Sequence, residues 1–143
     1  MDPHYTFLYE YKVKTAAVNV PSSVASTDQL HTGFANTSAL NVGAKVAATK
    51  SLTIGADLWY LAATQAVALN GANDGLGNAS TSKKLGYEVD LAINWQMYDA
   101  LSWNWQLGYF KPGAAYDVPT AIAGVNESAD KVLGAQGVLS YKF

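Results

Sequence analysis

The chain has 143 residues, half of them hydrophobic, with a formal net charge of −2. The length suits one ordinary domain, and the acidic balance excludes a nucleic-acid partner. Cysteine is absent, which removes disulfides, a thiol nucleophile and thiolate metal sites. All nine basic residues are lysine, so the bidentate arginine clamp for carboxylate or phosphate is missing. Apolar and polar residues are finely mixed, and no stretch reaches the roughly 18 consecutive apolar residues of a transmembrane helix. The first residues, MDPHYTFLYEYKV, lack the basic n-region and apolar h-region of a signal peptide. An outer-membrane destination then places the export signal upstream of this sequence.

Six segments alternate with a period of two, the period of a β-strand. In residues 4–14, Tyr5, Phe7, Tyr9, Tyr11 and Val13 share a face against Thr6, Glu10, Lys12 and Lys14, with Leu8 as the exception. In residues 40–50, Leu40, Val42, Ala44, Val46 and Ala48 oppose Asn41, Gly43, Lys45, Ala47 and Thr49. In residues 52–60, Leu52, Ile54, Ala56, Leu58 and Tyr60 oppose Thr53, Gly55, Asp57 and Trp59. Residues 85–97 alternate without a fault: Leu85, Tyr87, Val89, Leu91, Ile93, Trp95 and Met97 against Gly86, Glu88, Asp90, Ala92, Asn94 and Gln96. In residues 101–109, Leu101, Trp103, Trp105, Leu107 and Tyr109 oppose Ser102, Asn104, Gln106 and Gly108. In residues 133–143, Leu133, Ala135, Gly137, Leu139, Tyr141 and Phe143 oppose Gly134, Gln136, Val138, Ser140 and Lys142.

Several of these strands are about twice the usual soluble length of five or six residues. The connections also alternate. Residues 16–36, 68–83 and 114–130 form long polar loops, and the links near residues 50–51 and 98–100 are short. Long external loops alternating with short periplasmic turns are a property of transmembrane barrels. The pattern therefore predicts an all-β fold: an antiparallel transmembrane β-barrel segment of six long strands spanning residues 1–143. A soluble sandwich or lipocalin-like barrel also alternates, but its loops do not sort into long and short sets. Six strands fall short of the eight that close the smallest bacterial barrel, so the segment is expected to be part of a larger or shared barrel. Unpaired edges in hydrocarbon are too costly to leave open.

On this reading one face meets lipid and the other lines a lumen. The lumen-lining residues are Glu10, Lys12, Lys14, Lys45, Asp57, Glu88, Asp90, Asn94, Gln96, Asn104, Gln106, Gln136 and Lys142. Their charges balance, four of each sign. Trp95, Trp103, Trp105, Tyr109 and Tyr141, with Tyr98, form an aromatic girdle near strand ends. The terminal Phe143, with Tyr141 and Leu139 on its face, is expected to serve as the signal read by the barrel assembly machinery.

The run LGYEVDLAINWQMYDALSWNWQLGYFKPGAAYD, residues 85–117, resembles the C-terminal hairpin of the bacterial alginate-export porin family. The elements are Leu-Gly-x-Glu-x-Asp-Leu (Leu85, Gly86, Glu88, Asp90, Leu91), a short turn with Tyr98 and Asp99, and the exit Gly108, Tyr109, Phe110, Pro112, Gly113. The resemblance implies a wide monomeric barrel passing anionic saccharides or other small solutes, with this chain as its last third.

Glu88 and Asp90 lie two apart on one strand, about 7 Å from each other. A retaining glycosidase needs about 5–5.5 Å, and nothing else in the chain completes an active site. The expectation is that both pair with lysines such as Lys45, and that the protein is not an enzyme. His4 and His31 have no spaced partner for a metal or a triad. Residues 70–78 (NGANDGLGN) lack the acidic ligands of a calcium loop, so neither metal nor cofactor is expected. The Asn-x-Ser/Thr triplets at Asn36, Asn78 and Asn126 carry no glycan on a bacterial surface by default. Lys83 and Lys84 are placed to meet lipopolysaccharide phosphate. The function expected is an outer-membrane porin-like channel, its partners outer-membrane lipid, lipopolysaccharide and the remaining barrel strands. The alternative is a structural barrel that displays loops or sheaths a partner such as an electron carrier.

Overall fold

The computed structural model describes residues 6–9, 36–73, 79–119 and 125–143. Within them lie seven strands and one 3-10 turn: β1 (Thr37–Ala47), β2 (Leu52–Asn73), β3 (Ala79–Tyr98), β4 (Leu101–Pro112), the turn Ala114–Tyr116, β5 (Val118–Pro119), β6 (Asn126–Glu127) and β7 (Val132–Tyr141). The fold is all-β. Five strands form one sheet in the order β1-β2-β3-β4-β7, every neighbouring pair antiparallel, and β5 and β6 form a separate two-stranded ladder. The large sheet is open, with β1 and β7 at its edges.

Register follows from the period-two pattern. A slip of one residue would turn every apolar side chain to the opposite face. Across the sheet, Val42, Leu58, Val89, Tyr109 and Leu133 fall in one row, and Ala44, Ala56, Leu91, Leu107 and Ala135 in the next. The third row is Val46, Ile54, Ile93, Trp105 and Gly137. These rows make one continuous apolar face. The opposite face carries the intervening residues, with Lys45, Gly55, Ala92, Gln106 and Gln136 in one row.

Five of the six expected strands are present in the sheet, with different bounds. β2 and β3 continue well past residues 60 and 85, so the expected loop 68–83 is largely strand. Val67 pairs with Ser82, Ala68 with Thr81 and Asn73 with Ala79. Pairing continues through this extension, with register shifts, although its hydrophobic alternation has faded. The expected loop 114–130 contains the 3-10 turn and the β5–β6 ladder. The expected first strand is corrected. Residues 6–9 are not in the sheet but lie on its polar face, held by side chains of β3. Leu8, which breaks the alternation there, is buried in that contact. Glu10, Lys12, Lys14 and the rest of that segment fall outside the described residues, as do His4 and His31.

The two tight connections have local causes. At residues 48–51 the Thr49 hydroxyl accepts the backbone N–H groups of Ser51 and Leu52 at 3.2 and 3.0 Å. At residues 99–100 the Gln96 amide nitrogen donates to the backbone carbonyls of Tyr98, Asp99 and Leu101. Gln96 therefore braces the turn. At the start of β1, Asn36 takes a left-handed conformation (φ 53°), and its side chain bonds both the N–H and the carbonyl of Gln65.

One irregularity decides where the core sits. Lys84 faces Ala62 and Gly86 faces Leu61, so Leu85 is an extra residue in a β-bulge. Gly86 there has φ +132°, and an added Cβ would run into the Lys111 carbonyl. The bulge turns Leu85 away from the apolar face expected for it, into a buried cluster with Leu8, Tyr9, Trp59, Leu61, Ala63 and Phe110. The described core is thus a cap on one end of the polar face. Substituting Gly86→Ala should lower the unfolding free energy by about 1–3 kcal/mol, seen as a lower urea midpoint of the folded protein. An unchanged midpoint would show that the bulge accepts a side chain.

Candidate functional site

The polar face has a crosswise row of unusual composition: Gly43, Asp57, Asp90, Gly108 and Gly134. Two carboxylates stand side by side, flanked by glycines. The next row towards the core is Asn41, Trp59, Glu88, Phe110 and Val132. The glycines leave a trough, and residues 6–9 lie in it. A Cβ on Gly108 would stand 2.7 Å from the Phe7 ring and 2.9 Å from Leu8 Cγ. A Cβ on Gly134 would stand 2.5 Å from Leu8 Cδ2. Both are closer than a real side chain can sit, so the trough exists because these residues are glycine.

Glu88 is fully buried at the floor of this seat. Its two oxygens accept the consecutive backbone N–H groups of Leu8 at 2.6 Å and Tyr9 at 2.7 Å. The N–H of Phe7 donates to Asp90 Oδ2 at 3.3 Å. A carboxylate taking two successive amides is a short, charge-assisted arrangement. It offsets the cost of burying the charge and satisfies two amides that no strand neighbour pairs. The expected ion pair of Glu88 with Lys45 is therefore corrected: the partner is peptide backbone. Lys45 stands two rows away, beside Gly55. Asp57 accepts the Asn41 amide at 3.3 Å.

The seat is closed by aromatic rings. Tyr9 packs on Phe110 at 5.8 Å between centroids, and Phe110 meets Tyr116 edge-on at 6.0 Å. The Tyr9 hydroxyl is 2.9 Å from the Thr37 hydroxyl. Burial, together with the neighbouring Tyr9 hydroxyl, pushes the Tyr116 hydroxyl above the ordinary tyrosine value of 10.0.

The structure brings Lys45, Asp57, Glu88, Asp90, Asn94, Gln96, Asn104, Gln106 and Gln136 onto this one face, as the alternation requires. Asn94 and Asn104 pair directly across β3 and β4. Lys142 lies beyond the end of β7, where its N–H donates to the Ala100 carbonyl at 2.9 Å. The girdle residues lie on the apolar face. Trp95 pairs with Trp103 near the short turns, and Trp105 is one row further in, 5.1 Å from Trp103 between centroids. Tyr109 is towards the opposite end, in ring contact with Tyr87 at 6.4 Å. Tyr141 pairs with Leu101, and its ring meets that of the exposed Phe143 at 5.3 Å.

Sequence reasoning missed Gly43, Gly108, Gly134, Trp59, Phe110 and the seated residues 6–9. Two signals were present: Leu8 interrupts its own alternation, and Phe110 follows Tyr109 where a polar residue is due. The row of glycines becomes visible only once the strands are in register. Among the described residues no group of three or more His, Cys, Asp or Glu could hold a metal ion. No helix is long and apolar enough to cross a membrane, which says nothing about crossing by strands. No family model, curated protein or solved structure matches this chain.

Gly134→Val should expel residues 6–9 from the trough. Chymotrypsin cleavage after Phe7 and Tyr9 should then be faster by about tenfold or more, since proteolysis tracks the open population; an unchanged rate would mean that the trough does not depend on glycine. The raised Tyr116 hydroxyl implies a second outcome. Its contribution to stability is fully present below pH 10.0 and is lost as the pH rises above that value. Tyr116→Phe should flatten this alkaline loss, measured as the urea midpoint at pH 9 and pH 11 (values chosen to lie about one unit either side of the free tyrosine pKa).

Proposed function

We propose that this chain is part of an outer-membrane, porin-like β-barrel that passes small solutes through a polar lumen. One observation carries the reading. The apolar face is continuous across all five strands and exposed, from Leu40 and Val42 on β1 to Leu133 and Leu139 on β7. Soluble monomers rarely expose apolar patches beyond a few hundred Å². A lipid environment removes that cost, and the paired strands already satisfy the backbone between the sheet edges.

The dimensions agree. One aromatic belt, Tyr60, Tyr87 and Tyr109, stands towards the end with the longer connections; the other, Trp95, Trp103, Tyr98 and Tyr141, stands at the short turns. Eight to eleven residues of β3 separate Tyr87 from Trp95 and Tyr98. At about 3.3 Å per residue and a tilt of about 40°, that is roughly 20–28 Å. The apolar band of outer-membrane barrels is about 25 Å tall. Lys84 lies beyond the upper belt, facing Ala62, and Lys111 stands in the belt's own row beside Tyr87, where lipopolysaccharide phosphate would be met. Phe143 would present the assembly signal.

The open sheet constrains what completes the barrel. With five antiparallel strands, β1 and β7 point the same way, so pairing one with the other would be parallel. Closure in the antiparallel manner of bacterial barrels, with an even strand count of at least eight, needs an odd number of further strands, three or more. These would come from elsewhere in the same protein or from another chain. Membership of the alginate-export porin family accords with this, with anionic saccharides among the solutes. The described charges of the polar face, Lys45 against Asp57, Glu88 and Asp90, favour no strong anion preference. Transport would rest on size exclusion and the local field of the lining charges, with no catalytic step.

The test is planar-bilayer recording of the purified outer-membrane assembly. Stepwise openings are expected, with quenching of Trp95, Trp103 and Trp105 fluorescence by brominated lipid. Quenching without any openings would favour the anchoring or sheathing barrel. Absence of quenching would remove the membrane reading altogether.

A further inference from the structure

We infer that the polar face carries a peptide-binding seat, built from Glu88, Gly108 and Gly134, which residues 6–9 of the same chain fill as an internal plug. The inference rests on the porin reading for its consequence, a narrowed lumen, but the seat itself rests on contacts. The charged group at its floor is fully buried and spends both oxygens on two consecutive backbone amides. Backbone amides are common to every peptide, so this part recognises main chain. Side-chain selection comes from the surroundings: the glycines admit Phe7 and Leu8, and Phe110 receives the ring of Tyr9. The ligand class is a short apolar-aromatic peptide offering successive N–H groups, the backbone-reading mode seen in other peptide sites.

The fit is not that of a strand added to a sheet. Residues 6–9 approach a sheet face, where the ladders engage the strand backbone, and side-chain carboxylates take their amides. An aqueous wall could hydrate Glu88 and Asp90, but a fully buried Glu88 requires a partner with donors. The segment covers Gly108 and Gly134 and adds Phe7 and Leu8 to the apolar cluster of Trp59, Leu61 and Phe110 at one end of the polar face. In a closed barrel their bulk would occupy the lumen.

The absence of cysteine allows a clean test. A Cβ on Gly108 would be 2.9 Å from Leu8 Cγ, close to the roughly 3 Å that a disulfide sets between one Cβ and the far sulfur. In the purified outer-membrane assembly, Leu8→Cys alone should resist a water-soluble maleimide. Adding Glu88→Gln should speed alkylation by about tenfold or more, because a charge-assisted pair is lost. The variant Phe7→Ala/Leu8→Cys/Gly108→Cys, whose smaller residue 7 clears the space that a Cβ on Gly108 takes, should form a disulfide, and its conductance should be lower oxidised than reduced, by about twofold or more. A Leu8→Cys thiol as reactive as a free one, or no gain with Glu88→Gln, would overturn the seat. A disulfide that forms without altering the conductance of open channels would overturn the plug and leave the porin reading intact. A protected thiol with no channel in either redox state would overturn the porin reading, and the plug with it.

Discussion

In-register antiparallel pairing of alternating strands is the constraint on which the rest of this structure depends. Each of the four ladders sets the apolar positions of one strand opposite the apolar positions of the next, so side chains two residues apart in sequence reappear in successive rows across five strands. The two faces then differ in kind. One is aliphatic between two aromatic belts; the other holds amides, glycines and carboxylates. Neither face would exist if one ladder slipped by a residue, because every side chain on that strand would change sides. Pairing also satisfies the backbone between the edges, a condition for any strand placed in hydrocarbon.

Departures from regularity are concentrated at one end. The bulge at Gly86 gives Leu85 to the polar face, and Trp59, Leu61 and Phe110 gather there instead of facing outward. A buried charge lies in the middle of this cluster. Glu88 is tolerated there because two backbone amides arrive from residues 8 and 9, and they in turn lose their water because the aromatic cluster closes over them. Burial and pairing are mutually dependent: the peptide that covers the carboxylate also supplies its donors, and removing the carboxylate would leave two desolvated amides. On the porin reading, this makes the seat the least ordinary part of the wall.

The glycines contribute through what they lack. At Gly108 and Gly134 conformational freedom is not the issue, since both lie in regular strand; the missing Cβ is what leaves room for Phe7 and Leu8. At Gly86 the reverse holds, and the positive φ is the requirement. Gly108 and Gly134 show how one residue type on two neighbouring strands can act as one feature.

The sequence by itself determined the strands of the sheet, their faces and the side on which each polar residue stands, because a period of two is a local property of the chain. It located Lys45, Asp57, Glu88, Asp90, Gln106 and Gln136 on a common face without reference to their neighbours. It misjudged residues 6–9, where Leu8 is the one fault in an otherwise alternating segment, and the extent of β2 and β3, where pairing continues after the hydrophobic signal fades. Only the tertiary structure decided the partner of Glu88 and the purpose of the glycines. The reason is distance along the chain: the two amides lie about 80 positions from the carboxylate that holds them, and the trough needs Gly108 and Gly134 side by side. Local pattern dictates which way a side chain points, but the group it meets is set by how distant segments come together.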